Sequence, residues 1–222
     1  MSITNNLVKL KNELANNVTL VAVSKTKPLL DIQEAYDTGH RHFGENKIQE
    51  MVEKYEQLPK DIKWHMIGHV QRNKVKYMTD FVHLIHGVDS FKLLKEINKQ
   101  AIKSERIIDC LFQIKIAKED SKFGMDKADV LNVISSAEFA ELKAVNIKGL
   151  MGMATFTENE SVIKEEFTYL KDTFEEFKEL SKSNFNMEIL SMGMSGDYQL
   201  AIECGSNMVR IGSTIFGERN YN

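Results

Sequence analysis

The stretch Thr19–Pro28, TLVAVSKTKP, ends a run of apolar residues with two lysines, Lys25 and Lys27. If the run is a β-strand with alternating side chains, Val21, Val23 and both lysines share one face, and Lys27 lies about 6.6 Å beyond Lys25. An amine among apolar groups loses preference for its charged form, and a neutral lysine amine is the nucleophile that forms Schiff bases. The alternative is a pair of solvated lysines at a strand end.

A second candidate lies near the end of the chain, in the run MVRIGSTIFG. Arg210 follows Val209 and precedes Ile211, and an arginine within an apolar strand keeps its charge and needs a fixed partner. Gly212 and Ser213 come next and offer backbone N–H groups and a hydroxyl. This end of the strand could therefore hold an anion.

A similar turn, SMGMSG, follows the preceding apolar run. Gly193 and Gly196 allow the backbone to turn or to approach a ligand closely, and Ser195 adds a donor just before a short predicted helix. Two glycine–serine turns after the last two strands indicate a phosphorylated ligand.

The elements that must position these residues alternate along the chain between short apolar runs and longer amphipathic ones. Eight runs read as strands: TLVAVSK, HRHFG, KWHMIG, HLIHGV, DCLFQIKI, NIKGLMGMAT, EILSMGM and NMVRIGSTIFG. A leading helix from about Asn5 to Asn16 precedes the first strand. We predict a single (β/α)8 barrel domain over residues 1–222, with an open doubly wound sheet as the alternative.

In such a barrel the carboxyl ends of the strands meet at one face. Lys25, Arg210 and the two glycine–serine turns would then share a site. Pyridoxal 5′-phosphate needs these three features: an amine for its aldehyde, a group opposite its ring nitrogen and a phosphate anchor.

Composition narrows the function classes. The chain has 222 residues, a net charge of −3 and no apolar run near the ~20 residues of a membrane span, so we expect neither a nucleic-acid nor a membrane partner. Cys110 and Cys204 show neither zinc spacing nor a disulfide framework, and we expect both to be small core residues. The N-terminus lacks a signal-peptide pattern, and the expected location is the cytoplasm.

Six segments together resemble the pyridoxal-phosphate homeostasis protein family, which is similar to the barrel domain of alanine racemase. They are AVSKTKP, HFGENKIQE, WHMIGHVQRNK, SKFG, GLMGMAT and LSMGMSGDYQLAIECGSNMVRIGSTIFGERNY, and the likeness runs from about Leu20 to Tyr221.

The resemblance implies a role for each candidate. Lys25 would form the Schiff base with pyridoxal 5′-phosphate, with Lys27 as its neighbour, and Arg210 would approach the pyridine nitrogen. Phosphate contacts are implied for Ser195, Gly212 and Ser213, and Asn46 would lie near the cofactor.

The resemblance also implies a role in vitamin B6 homeostasis, with pyridoxal-phosphate-requiring apo-enzymes as possible recipients of the cofactor. A permanent cation opposite the ring nitrogen disfavours its protonation, so the ring is a poor electron sink. Transaminase and decarboxylase chemistry is therefore disfavoured, whereas a racemase tolerates this arrangement. We expect a cofactor carrier without robust catalysis.

Two enzymatic alternatives remain. An amino-acid racemase of the alanine racemase type needs a second acid/base, which in that family is a tyrosine from an additional domain of a partner subunit. Without that domain we expect a monomer. The sequence assigns the role of second acid/base to none of its tyrosines, which are Tyr36, Tyr55, Tyr77, Tyr169, Tyr198 and Tyr221. The other alternative is a Schiff-base aldolase acting on a sugar phosphate.

The histidines carry less information. His40, His42, His83 and His86 have no acidic partner at ligand spacing, and we expect ordinary polar or core residues. Three residues stay open: His65 and His69, one of which could lie near the cofactor, and Lys122, which either faces the barrel mouth or is solvated.

Overall fold

A computed structural model describes residues 2–117, 123–180 and 182–218. Eight parallel strands close into a barrel in chain order, with β8 paired to β1. This confirms the predicted (β/α)8 barrel, and the open sheet was the wrong alternative. The strands are β1 (Thr19–Val23), β2 (His42–Glu45), β3 (Lys63–Met66), β4 (Val82–Val88), β5 (Ile108–Gln113), β6 (Val145–Met151), β7 (Phe185–Ser191) and β8 (Met208–Ile211).

Helices separate the strands along the chain. They are α1 (Ile3–Glu13), α2 (Leu29–Asp37), α3 (Ile48–Gln57), α4 (Phe91–Lys103), α5 (Lys127–Ser135), α6 (Ala137–Ala140), α7 (Glu160–Lys178), α8 (Tyr198–Glu203) and α9 (Ser213–Phe216). Between β3 and β4 the connection is a 3₁₀ helix, Arg72–Tyr77. The leading helix begins earlier than predicted because the Ser2 side chain accepts the backbone N–H of Asn5 at 3.2 Å.

The hydrophobic core is divided into two layers. A small cluster inside the barrel contains side chains from β1, β4, β5, β6 and β8: Val21, Leu84, Leu111, Met151 and Met208. The larger cluster lies between the strands and the helices and includes the fully buried Trp64, Phe43 and Phe112. Burying both strand faces accounts for the nearly continuous apolar runs in the sequence.

Several strand boundaries differ from the prediction, and those of β1 and β8 affect the site. β8 ends at Ile211 and the following residues form α9, so the predicted strand to Gly217 was too long. β1 ends at Val23, and Thr26 adopts a left-handed φ of 64°. Lys25 and Lys27 therefore lie on a turn, and the predicted alternation of the two lysines along the strand face does not hold.

Within the described ranges, no helix is both long enough and apolar enough to cross a membrane.

Candidate functional site

A cavity of about 630 Å³ opens at the carboxyl ends of the strands. The structure brings all six predicted cofactor-binding residues to its wall: Lys25, Asn46, Ser195, Arg210, Gly212 and Ser213. Lys27 and His69 also line it. The described lining residues include basic side chains and no aspartate or glutamate, so the cavity is suited to an anionic ligand.

The turn that carries Lys25 is held on both sides of the lysine. The Ser24 hydroxyl donates to Glu45 Oε1 at 2.6 Å, and the Thr26 backbone N–H donates to Glu50 Oε1 at 2.5 Å. The Lys27 N–H closes the turn on the Ser24 carbonyl at 3.0 Å. Lys25 itself is half-buried at the cavity wall. Its backbone is thus fixed before any ligand arrives.

Behind this turn lies a buried ionic cluster of Glu45, Glu50 and Lys54. Lys54 Nζ donates to the Ser24 carbonyl at 2.8 Å, to Glu45 Oε1 at 2.8 Å and to Glu50 Oε1 at 2.7 Å. Burial raises the pKa of Glu45 to about 7, although Lys54 and Ser24 both pull it down. Glu45 Oε2 is buried with no hydrogen-bond partner among the described residues, which suits a proton on that oxygen.

Sequence reasoning missed this cluster. The one available signal was the i,i+4 spacing of Glu50 and Lys54 on α3, which is common on solvated helix faces. The contacts of Lys54 with Ser24 and Glu45 cross to other elements and leave no sequence pattern.

Lys27 has a different environment from Lys25. Its ammonium donates to the carbonyls of Phe216, Gly217 and Glu218 at 2.9, 3.1 and 3.2 Å. These carbonyls lie at and after the end of α9, where a cation is favourable. Lys27 therefore ties the β1 turn to the chain that follows β8.

Arg210 lies in the barrel wall, 4 % exposed, with its guanidinium at the cavity. NH1 donates to the Ser191 hydroxyl at 2.6 Å and NH2 donates to the Gly152 carbonyl at 3.0 Å. Burial lowers the pKa of Arg210 to about 10, so the side chain remains a cation at neutral pH. The negative charge of Asp197 favours the charged form of Arg210.

A row of polar side chains continues from Arg210 through the barrel interior. Ser191 Oγ lies 3.0 Å from His86 Nδ1, and His86 Nε2 lies 2.9 Å from His65 Nδ1. His65 Nε2 in turn lies 2.9 Å from His42 Nδ1. Burial holds the pKa of His65 and that of His86 well below 6.5, so both imidazoles are neutral near pH 7.

The β7–β8 side of the cavity is built mainly from backbone and small side chains. The Gly212 N–H donates to Ser195 Oγ at 3.2 Å, which joins the two glycine–serine turns. A Cβ on Gly212 would lie 3.2 Å from the Val23 carbonyl oxygen, so a larger residue would press on β1. Ser213 begins α9 and is exposed.

The opposite wall contains residues that the sequence left open or did not single out. The His69 ring stacks on Phe123 with centroids 4.1 Å apart, and His69 Nδ1 lies 2.9 Å from Asp89 Oδ2. His69, and not His65, thus lies at the mouth.

The backbone of Asn46 packs directly against Gly68. A Cβ on Gly68 would lie 2.4 Å from the Asn46 carbonyl oxygen, so only glycine fits at that position. Lys122 and Tyr221 lie outside the described residues.

Comparisons with known proteins show the family of the chain. The alanine racemase N-terminal domain family model matches residues 1–220. The pyridoxal phosphate homeostasis protein of Aquifex aeolicus is 38% identical over 207 residues, covering 93% of this chain and 89% of the relative. That of Haemophilus influenzae is 37% identical over 216 residues, covering 96% and 90%.

Solved structures give the same result. PipY of Synechococcus elongatus with PLP bound is 32% identical, with a TM-score of 0.88 over 97% of this chain and 100% of that one. Alanine racemase from E. faecalis is 14% identical, with a TM-score of 0.77 over 98% of this chain and 58% of the racemase, which shows a common fold. The predicted resemblance is confirmed: the chain belongs to the alanine racemase N-terminal domain family and, within it, to the pyridoxal phosphate homeostasis proteins.

Proposed function

We propose that this protein binds pyridoxal 5′-phosphate covalently through Lys25 and serves in homeostasis of the cofactor, without robust catalysis. The observation that carries the proposal is the convergence of Lys25, Arg210 and the Ser195–Gly212 turn on one cavity. The names of the relatives and the PLP-bound PipY structure support it.

The residues present fit the cofactor. When bound, pyridoxal phosphate supplies an aldehyde that condenses with a neutral lysine amine. Lys25 is the residue we assign to that bond, because it is half-buried at the cavity wall and is the lysine that the family resemblance implies. The Lys27 ammonium donates to three carbonyls at the end of the chain that follows β8. Ser195 and Ser213 would hold the phosphate with hydroxyl and backbone donors, Gly212 would let it approach the chain while its N–H orients the Ser195 hydroxyl, and Asn46 would border the cofactor.

The guanidinium of Arg210 favours a carrier function over carbanion chemistry. Its guanidinium can only donate hydrogen bonds, so a ring nitrogen held by Arg210 accepts and stays unprotonated. Ser191 and Gly152 fix the guanidinium in the wall. This arrangement weakens the electron withdrawal on which carbanion chemistry depends.

The cavity also lacks the tyrosine that serves as the second acid/base in the alanine racemases, as far as the described residues extend. None of the described lining residues is a tyrosine. Tyr36, Tyr55, Tyr77, Tyr169 and Tyr198 lie on helices around the barrel. A proton could therefore be moved on one face of a substrate by Lys25, and no tyrosine of the described ranges lies on the other face.

A titration tests both parts of this proposal. Adding pyridoxal 5′-phosphate to cofactor-free protein should produce a visible absorption band that saturates at one equivalent. Chiral chromatography after incubation with each L-amino acid should show no D-isomer. Turnover above about 1 s⁻¹, the lower end for typical enzymes, would overturn the carrier proposal. A protein that captures a carbonyl substrate with borohydride but gives no chromophore would instead be an aldolase.

We further propose that the protein acts as a monomer and releases the cofactor to apo-enzymes. Mixing the loaded protein with a pyridoxal-phosphate-dependent apo-enzyme should restore that enzyme's activity as the carrier's absorption band declines. Sedimentation of the loaded protein alone, before mixing, should give a mass near the 25.4 kDa of one chain. A dimer mass would reject the monomer.

A further inference from the structure

A cluster of three histidines lies at the amino-terminal end of the barrel, opposite the cavity. His42, His65 and His83 come from the neighbouring strands β2, β3 and β4. One ring nitrogen from each lies within 4.8 Å of the other two, and His42 Nδ1 is already 2.9 Å from His65 Nε2. Spacing along the sequence gave no sign of this cluster, because its members are brought together by the closure of the sheet.

We propose that His42, His65 and His83 bind a divalent transition-metal ion such as Zn²⁺. Imidazole nitrogen suits zinc, cobalt, nickel and copper, whereas Mg²⁺ and Ca²⁺ require oxygen ligands. His65 is buried, His42 half-buried and His83 exposed, so the site is anchored in the interior and open to solvent on one side. Three histidines with an open fourth position is a known zinc arrangement.

The geometry needs a small adjustment at one residue. With Zn–N bonds of about 2.0–2.1 Å, nitrogens in a tetrahedral site lie roughly 3.3 Å apart. The His42–His65 pair is near that separation. His83 is the exposed member, so its side chain is freer to rotate toward the other two than that of the buried His65.

The neighbours of the cluster fit a ligand set. Metal-bound histidines usually donate their other ring N–H to a fixed partner. His65 Nδ1 lies 2.9 Å from His86 Nε2, and His86 Nδ1 lies 3.0 Å from Ser191 Oγ. If both rings carry their proton on Nδ1, the Nε2 lone pair of His65 faces His42 Nδ1, and a metal ion bound by both nitrogens would replace that hydrogen bond. Ser191 can accept from His86 and from Arg210 together.

The imidazoles are also in the right protonation state. Burial lowers the pKa of His42 to about 4 and depresses the pKa of His65 and that of His83. Lys63 and Arg106 add positive charge near the cluster, and Asp109 adds negative charge. The positive charge weakens the attraction for a metal cation, so we expect Lys63→Gln to tighten binding.

The test uses full-length protein without a polyhistidine tag, titrated with Co²⁺. We expect saturable binding of one equivalent, an intense visible band typical of tetrahedral cobalt, and displacement by Zn²⁺. His83→Ala should weaken binding at least about tenfold, and because His83 is exposed the variant should keep the wild-type circular dichroism. His69→Ala, at the other end of the barrel, is the control and should bind as the wild type does.

Two results would overturn the site: no saturable binding to the wild type, or wild-type affinity in both His83→Ala and His42→Gln. The site is independent of the proposed cofactor function, so Lys25→Ala should bind Co²⁺ with unchanged affinity. Strong metal binding by a protein that fails to bind pyridoxal phosphate would support the site and reject the carrier.

Discussion

The two sides of the cavity are built in different ways. On the β1 side, the Lys25 turn rests on buried charges, with Lys54 joining Ser24, Glu45 and Glu50. On the β7–β8 side, glycines and serines present backbone and hydroxyl groups, with the Gly212 N–H bound to Ser195. A covalent bond needs one amine in one place, whereas a phosphate can be held by several equivalent donors. The buried charges, which are costly to desolvate, therefore lie behind Lys25, the residue whose role no other donor could take over.

The first prediction removes the ion cluster behind the lysine. Lys54→Met should destabilise the protein by about 3 kcal/mol, because it leaves the buried Glu45 and Ser24 carbonyl without their ammonium partner and breaks the ion pair with the half-buried Glu50. Urea unfolding measures the change. Lys95→Met is the matched control: its pair with Glu138 is exposed and should contribute less than about 1 kcal/mol. Equal losses in both variants would show that the buried cluster has no special role.

The second prediction concerns the pH dependence of the same cluster. The pKa of Glu45 is raised from 4.5 to about 7 in the folded state, so the folded protein binds this proton more tightly than the unfolded chain. The resulting stabilisation is present below about pH 4.5 and is lost as the pH rises through about 7.

Glu45→Gln isolates this effect from the histidines, whose depressed pKa values give stability the opposite trend with pH. The variant should gain stability relative to the wild type between about pH 5 and 7, by roughly 2–3 kcal/mol at most. A difference that stays flat over that interval would mean that Glu45 titrates normally.

The third prediction tests the β7–β8 side. Ser191→Ala removes the acceptor of Arg210 NH1 and leaves a buried charged donor unpaired, at a cost of about 2 kcal/mol. The bound cofactor's absorption maximum should also shift, because the guanidinium keeps only its hydrogen bond to the Gly152 carbonyl. An unchanged spectrum with reduced stability would mean that Ser191 is structural and does not position Arg210.

The smallest loss of stability is expected at Lys27, which joins the β1 turn to the chain that follows β8. Lys27→Met removes three hydrogen bonds to the carbonyls after α9, and because the site is partly exposed the loss should be about 1 kcal/mol. The variant should still attach the cofactor. If attachment is abolished while the fold is retained, Lys27 has a chemical role that its contacts do not suggest.

Much of the architecture could be predicted from the sequence because apolar runs and helical periodicity report local burial. The eight strands and the leading helix follow from that signal, and so does the placing of Lys25, Arg210 and the glycine–serine turns at one end. The boundaries of β1 and β8 did not follow, because Thr26 takes a left-handed conformation and Gly212 ends its strand.

Contacts between distant elements could not be predicted. The Glu45–Lys54 cluster joins a strand end to a helix, and the histidine row joins four strands through the barrel interior. The sequence around the members of the cluster and of the row is ordinary. The sequence also predicts ordinary polar or core residues at His42 and His86, and at His83 beside the row. Only barrel closure shows that their side chains meet.

The central claim is that Lys25, and not its neighbour two residues away, forms the covalent bond. Borohydride reduction of the protein with bound pyridoxal 5′-phosphate, followed by proteolysis and mass spectrometry, tests it directly. The account predicts that the added cofactor mass lies on Lys25 in the wild type and in Lys27→Met, and that Lys25→Ala carries none. Cofactor mass on Lys27, or undiminished labelling of Lys25→Ala, would contradict it.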